Sequence, residues 1–210
     1  MIEYTKIETV FNRDIEGTKK LIEGSYRSPA IEYLKDNLWS CTEKIDGTNI
    51  GVVWDGHRVS FQGRTERAQI PAPLVNRLNE MFGGPENEEL FEQLFGEKEA
   101  VLFGEGYGPK IQKGGELYRD DISFIMFDVW VDGIWLDQDA MWSIAGTFGA
   151  DHVPVILVGT LQDAIEFVKK KPMSTIGKAP MEGLVCRPVC RLMDHMGRRI
   201  IVKVKVKDFE

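Results

Sequence analysis

The pattern of apolar and polar positions is irregular over the first part of the chain and becomes readable from Leu38 onward. Residues Ile2 to Phe11 carry a short mixed strand pattern, Asn12 to Ser28 is polar and without clear period, and Glu32 to Asn37 fits either a helix or a loop. Leu38 to Lys44, Asn49 to Trp54 and Arg58 to Gln62 then read as strands, with Asp55-Gly56 as a two-residue turn between the last two. This predicts a meander with Lys44 at its first corner. Pro71 to Phe82 reads as a helix with proline near its start and Gly83-Gly84 past its end. Glu88 to Phe95 follows as a second helix, with Leu90, Phe91, Leu94 and Phe95 at helical spacing.

Ala100 to Phe103 is a buried-type strand running into Gly104-Glu105-Gly106-Tyr107-Gly108, and Ile122 to Val131 is the most apolar strand. Asp132-Gly133 turns that strand back through Ile134 to Leu136. Gln138 to Phe148 and Leu161 to Lys170 have helical spacing, separated by the apolar run Val153 to Val158. Glu182 to Arg187 and Arg198 to Val206 are the last two strands, joined by a loop containing Asp194, His195 and Gly197. With no internal repeat, low-complexity tract or linker, the expected architecture is a single α+β domain over residues 1–210, mostly antiparallel sheets with flanking helices.

Charged groups sit at strand ends where a plain sheet has no use for them: Lys44, Arg64, Glu105 and Glu182. Lys203 and Lys205 are two apart in a strand, so both project from one face, and Val202, Val204 and Val206 project from the other. Two lysines on one face repel unless an anion lies between them, and polyphosphate is such an anion. A lysine becomes a nucleophile only as the neutral amine, a state that desolvation or nearby cations favour.

Taken together the motifs resemble the covalent nucleotidyltransferases and, within them, the ATP-dependent RNA ligase family. Lys44-Ile45-Asp46-Gly47 looks like the nucleophile motif, Phe103-Gly104-Glu105-Gly106 the third motif, and Phe124 to Val129 the aromatic strand that follows. Met181-Glu182-Gly183-Leu184-Val185 resembles the fourth motif and Ile201-Val202-Lys203-Val204-Lys205 the fifth. Thr48-Asn49, Gly63-Arg64-Thr65 and the opening Lys6-Ile7-Glu8-Thr9 are similar to the RNA ligase branch.

The resemblance implies that Lys44 attacks the α-phosphorus of ATP and carries AMP, which passes to an RNA 5′-phosphate before a 3′-hydroxyl displaces it. Lys203 and Lys205 would neutralise phosphate charge and Glu182 would orient the phosphate or the nucleophile. Arg64 and Glu105 would hold the ribose and the surrounding turn, and Phe127 would stack on adenine. Glu43, Ile45 and Asn49 would contact the nucleotide or the RNA end. Mg²⁺, or Mn²⁺ in its place, is implied with few protein ligands. RNA ends are the implied partners, together with an accessory RNA-binding protein. The resemblance runs out five residues past Lys205, which gives the expectation of a minimal form without a separate C-terminal domain.

Composition narrows this without deciding it. A net charge of −7 excludes a broadly basic surface, yet Arg198, Arg199, Lys203, Lys205 and Lys207 crowd the last stretch, so an anionic ligand meets a local patch. Three cysteines, no signal or transit pattern and no membrane-length apolar run point to reduced thiols in the cytoplasm. Cys186, Cys190 and His195 lack the spacing and the fourth ligand of a zinc site. Two other readings stay open at this point: a minimal DNA or nicked-duplex ligase or another nucleotidyltransferase, and a nucleotide- or RNA-binding module without turnover.

Overall fold

The structure, a computed structural model, describes residues 2–65 and 67–210. The chain divides into two compact units, Thr5–Ile45 with Pro154–Glu210, and Met1–Tyr4 with Asp46–Val153. The first is called here the Lys44 unit and the second the inserted unit.

The Lys44 unit begins with β1 (Glu8–Thr9), β2 (Phe11–Arg13), β3 (Leu21–Tyr26), α1 (Pro29–Leu34) and β4 (Trp39–Lys44). Ser28 caps α1 by accepting from the Ile31 amide, and Pro29 supplies the preset φ of a first turn. The inserted unit follows with β5 (Thr48–Trp54), β6 (Val59–Gly63), α2 (Ala72–Phe82), α3 (Pro85–Phe95), β7 (Ala100–Tyr107), β8 (Ser123–Val131), β9 (Ile134–Trp135), α4 (Gln138–Thr147) and β10 (Asp151–His152). The chain then returns to the Lys44 unit through β11 (Val155–Gly159), α5 (Leu161–Lys169), β12 (Gly183–Pro188) and β13 (Val202–Lys205).

In the inserted unit the strands run β10-β8-β7-β5-β6, with β9 on β8. Alternate residues Ile50, Val52, Trp54, Leu102, Phe124 and Met126 turn to one face, where Leu74, Leu78, Phe82, Phe91 and Met141 of the helices cover them. The opposite face carries Val101, Phe103, Glu105 and Ile125. In the Lys44 unit the order is β1-β13-β12-β4-β11, antiparallel except for the β1–β13 pair. Its core face holds Trp39, Cys41, Leu184, Cys186, Val202 and Val204 against Ile31, Leu34, Leu161, Ile165 and Val168. Here too one face of the sheet is free of the helical core.

Several local expectations change. The meander at Lys44 does not form: β4 pairs with β11 and β12, while β5 pairs with β6 and β7. A period-two pattern specifies a strand and its buried face, not its partner, and β4 and β5 bury their apolar residues in different cores. The strand expected to stop at Phe103 continues to Tyr107, because Gly104 leaves room for the Phe124 ring and the Ile125 carbonyl that a Cβ would strike. The final strand is shorter than Arg198 to Val206. Arg199 instead bridges Met193 within the loop. Residues Leu21–Tyr26 form a strand inside the stretch without clear period.

Candidate functional site

The Lys44 unit brings three of the predicted lysines to one face by register alone. Gly183 on β12 is the cross-strand partner of Lys44 on one side and Lys205 on the other, and Val185 in the next row of that face is the partner of Thr42 and Lys203. Directly opposed residues share a face, so Lys44, Lys203 and Lys205 project together, while Val202 and Val204 point into the core. Between Lys44 and Lys205 lies only a glycine, and the two long side chains close over it.

Glu182, the residue before that glycine, fills the place an anion was expected to take. Its Oε2 accepts from Lys44 Nζ at 2.7 Å and its Oε1 lies 2.8 Å from Lys205 Nζ. Burial alone would raise the Glu182 carboxyl, but Lys44 and Lys205 outweigh it and hold it below the usual carboxylate range. Burial pulls Lys205 down, but the Glu182 hydrogen bond and charge, with Asp208 nearby, leave it raised overall. A depressed carboxyl stabilises the fold above its unfolded pKa and loses that effect as pH falls through its folded value. A raised lysine contributes below its unfolded pKa and loses that effect as pH rises through its folded value. The triplet therefore contributes evenly from about pH 5 to about pH 10. Glu182→Gln should cost about 2 kcal/mol in that window, and denaturant titrations should show the gap to wild type narrowing at pH 3 to 4.

Glu43 does not join this cluster. Alternation along β4 turns it to the opposite face, with only 1% of its surface exposed. Its Oε2 accepts from the Thr175 amide at 3.0 Å and from the Thr175 hydroxyl at 2.6 Å. These bonds tie β4 to the segment before β12. Ile45 is also buried, at 3%. A Glu-Lys pair reads in sequence as two polar neighbours, and only the strand phase, fixed by Trp39 and Cys41, separates them.

Residues 46–47 explain the Asp-Gly of the motif. A Cβ at Gly47 would collide with the carbonyl oxygen of Gly106 on β7, so a side chain there would push the turn off the sheet. Gln112 Nε2 donates to the Gly47 carbonyl at 3.1 Å, and the Asp46 amide donates to the Tyr118 hydroxyl at 3.4 Å. The polar loop after β7 therefore braces the turn. Nothing in the local pattern marks Gln112 or Tyr118 for this.

On the face of the inserted unit opposite its helices, Asn49 and Glu105 are cross-strand partners. The register of β7 against β8 shifts between Phe103 and Gly104, which leaves Phe127 as the extra residue of a bulge. Met126 and Val129 both face the helical core, so Phe127 and Asp128 both turn to the face that carries Glu105. Tyr4 packs there edge-on against Phe127 with ring centroids 5.0 Å apart, and its hydroxyl donates to Asp128 Oδ2 at 2.8 Å. Phe127 is only half-buried, whereas Asp128 is 3% exposed. Tyr4, unmarked in sequence, fixes the ring on which stacking was expected. Arg64, just past β6, is exposed.

The donor chemistry suits polyphosphate better than a protein-held metal. Among the described residues, no three His, Cys, Asp or Glu side chains are grouped to hold an ion, and both Glu182 oxygens are engaged by lysines. A Mg²⁺ or Mn²⁺ ion fits as one carried on phosphate oxygens and water, the usual habit of Mg²⁺. Among the described residues no helix is long and apolar enough to cross a membrane.

A sequence model of the RNA ligase family matches residues 37–205. No curated protein matches the chain. Among solved structures, a Naegleria gruberi RNA ligase variant with ATP and Mn superposes with a TM-score of 0.69 at 20% identity, covering 97% of this chain and 56% of that one. A second variant without ligand gives 0.68 at 19%, covering 97% and 55%. A third, with AMP and Mn, gives 0.64 at 18%, covering 95% and 60%. The chain thus spans little more than half the length of these structures, and at such identity the likeness establishes the α+β fold.

Proposed function

Because the chain belongs to the RNA ligase family, we propose that it is an ATP-dependent RNA ligase working through AMP carried on Lys44. The observation that carries this reading is the Lys44–Glu182–Lys205 triplet, its two lysines on one row across three strands with Lys203 on the same face. An isolated surface lysine needs no such frame. The family match and the ATP named with the similar structures support the same reading.

In this mechanism Glu182 aims Lys44 Nζ. Its carboxyl is held low and is a weak base, so the ammonium proton leaves to water, which reaches the one-quarter exposed Lys44 side chain. The amine forms a P–N bond to the α-phosphorus as the bond to the bridging oxygen of the β-phosphate breaks and pyrophosphate leaves. Lys203 and Lys205 meet the charge that builds on the phosphate oxygens. A divalent metal bound with ATP would add further neutralisation of those oxygens. Asn49, Arg64, Glu105 and Phe127 hold the nucleoside, and Glu43 acts from behind by fixing β4. An RNA 5′-phosphate oxygen then takes the AMP as the P–N bond breaks and Lys44 is freed, and a 3′-hydroxyl attacks that RNA phosphate, losing its proton to water and expelling AMP. An accessory RNA-binding protein is a fitting partner for sealing, and three free cysteines suit the cytoplasm.

The test is direct. Protein incubated with α-labelled ATP and Mg²⁺ or Mn²⁺, then denatured, should retain an acid-labile, alkali-stable label. Absence of that label overturns the proposal. Offering the labelled protein 5′-phosphorylated RNA, 5′-phosphorylated DNA and nicked duplexes in parallel should move AMP chiefly to RNA, and preferential transfer to DNA would replace the substrate.

A further inference from the structure

The charge of this chain is unevenly placed. Residues 183–205, which comprise β12, β13 and their connecting loop, hold six Lys and Arg and a single acid, Asp194, a net of +5 in a chain whose total is −7. The remaining residues therefore sum to −12. In an acidic protein, a hairpin of net positive charge offers a polyanion a local field of attraction.

The register gives that charge a direction. On the face that carries Lys44, Lys203 and Lys205, the next β12 position beyond Val185 is Arg187, the partner of Ser40. Alternate residues of a strand are about 6.7 Å apart, so Arg187 stands about 13 Å along β12 from the glycine between Lys44 and Lys205. Past Pro188 the chain enters the loop, where Arg191 and Arg198 are exposed and Arg199 is half-buried. Arg198 pairs with Asp194 at 2.8 Å, but with 65% of the arginine side chain exposed that pair is a weak competitor for an outside anion. Val189, Leu192, Met193 and Met196 are exposed on the same loop, at 37% to 66%, and offer apolar contact that a free phosphate or a nucleotide would not need.

We infer that the β12–β13 hairpin is a nucleic-acid rail: Arg187, Arg191, Arg198 and Arg199 hold the phosphodiester backbone of the RNA strand whose 5′-phosphate is presented to Lys44. This rests on the RNA ligase reading of the site and adds the surface by which the substrate is held. The backbone phosphates neutralise the arginines and release counterions, while the loop's apolar side chains lie against unstacked bases, a mode suited to single strands.

The experiment measures binding alone, without ATP, so that it fails separately from the adenylylation test. A fluorescent 5′-phosphorylated 12-nucleotide RNA (a length of about 12 nucleotides spans one such site) is titrated by anisotropy against wild type at several salt concentrations. The compared variants are Arg191→Ala/Arg198→Ala/Arg199→Ala, the same three positions changed to Lys, and Lys169→Ala/Lys170→Ala/Lys171→Ala. Losing three single-strand phosphate contacts lowers the slope of log affinity against log salt by about 2. The alanine hairpin variant should bind at least about tenfold more weakly at 0.1 M salt with that reduced slope. The lysine variant should keep the wild-type slope, which shows that a folded hairpin with its charge is what matters. Wild type without measurable RNA binding, a hairpin variant with unchanged affinity and slope, or an equal loss on neutralising Lys169 to Lys171 would each overturn the rail.

Discussion

Lys44→Arg should reduce covalent labelling by ATP to background while leaving the fold intact. Arginine keeps a positive group within reach of Glu182 Oε2, where Lys44 Nζ now donates at 2.7 Å, so the carboxylate stays paired on both sides. The guanidinium remains protonated at every usable pH and has no free lone pair to attack phosphorus. Lys44→Ala should lose the label equally, at least about a thousandfold, as removal of a covalent nucleophile does. It should also be less stable by about 1 kcal/mol, because Glu182 then rests on Lys205 alone. Label counted on denatured protein reports the chemistry, and urea midpoints report the fold. Adduct persisting in Lys44→Arg would place the nucleophile elsewhere. Label lost from Lys44→Ala together with the cooperative unfolding transition would mean that Lys44 is structural.

The chemistry of the Lys44 unit was legible in sequence because strand alternation is a local rule. Lys203 and Lys205 two residues apart must share a face, and Val202 and Val204 between and beside them, both fully buried, fix which face that is. The same rule, applied to β4, puts Glu43 and Lys44 on opposite faces. What alternation cannot supply is partnership. Glu182 and Lys44 are 138 residues apart and meet only because β12 lies between β4 and β13.

The unit boundary was hidden for a similar reason. Residues 45–47 join two strands of strong β pattern, and a short polar turn between such strands usually closes a hairpin. Here each strand buries its apolar residues in a different core, so the turn is a crossing between sheets. Phe127 was recognised as an aromatic in an apolar strand, but the bulge that turns it from the core depends on Gly104 across the sheet. Tyr4, Gln112, Tyr118 and Thr175 act through single long-range hydrogen bonds, which leave no periodic trace.

Gly183→Ala should be the most damaging single methyl in the Lys44 unit. Gly183 sits in the middle of the row joining Lys44 to Lys205, at φ +153°, a region that residues with a side chain rarely occupy. A Cβ there would strike the Val204 carbonyl oxygen and stand 2.7 Å from the Lys205 Cα. Both obstacles are backbone of β13, which is hydrogen-bonded to β12 and cannot retreat like a flexible side chain. Relief requires β12 to part from β13, costing ladder hydrogen bonds as well as backbone strain, together about 3 kcal/mol or more. The damage should reach function before unfolding is complete, since separating the strands moves Lys205 away from Glu182 and leaves Lys44 alone to hold it. The expected result is a urea midpoint shifted strongly downward, with adduct formation per folded molecule also reduced at low temperature. Gly197→Ala, in the exposed loop of the same hairpin where a Cβ meets nothing within 4 Å, should pay only the strain of its own positive φ, about 1 kcal/mol. Equal effects at the two glycines would show that left-handed backbone, and not the contact with β13, sets the requirement at Gly183.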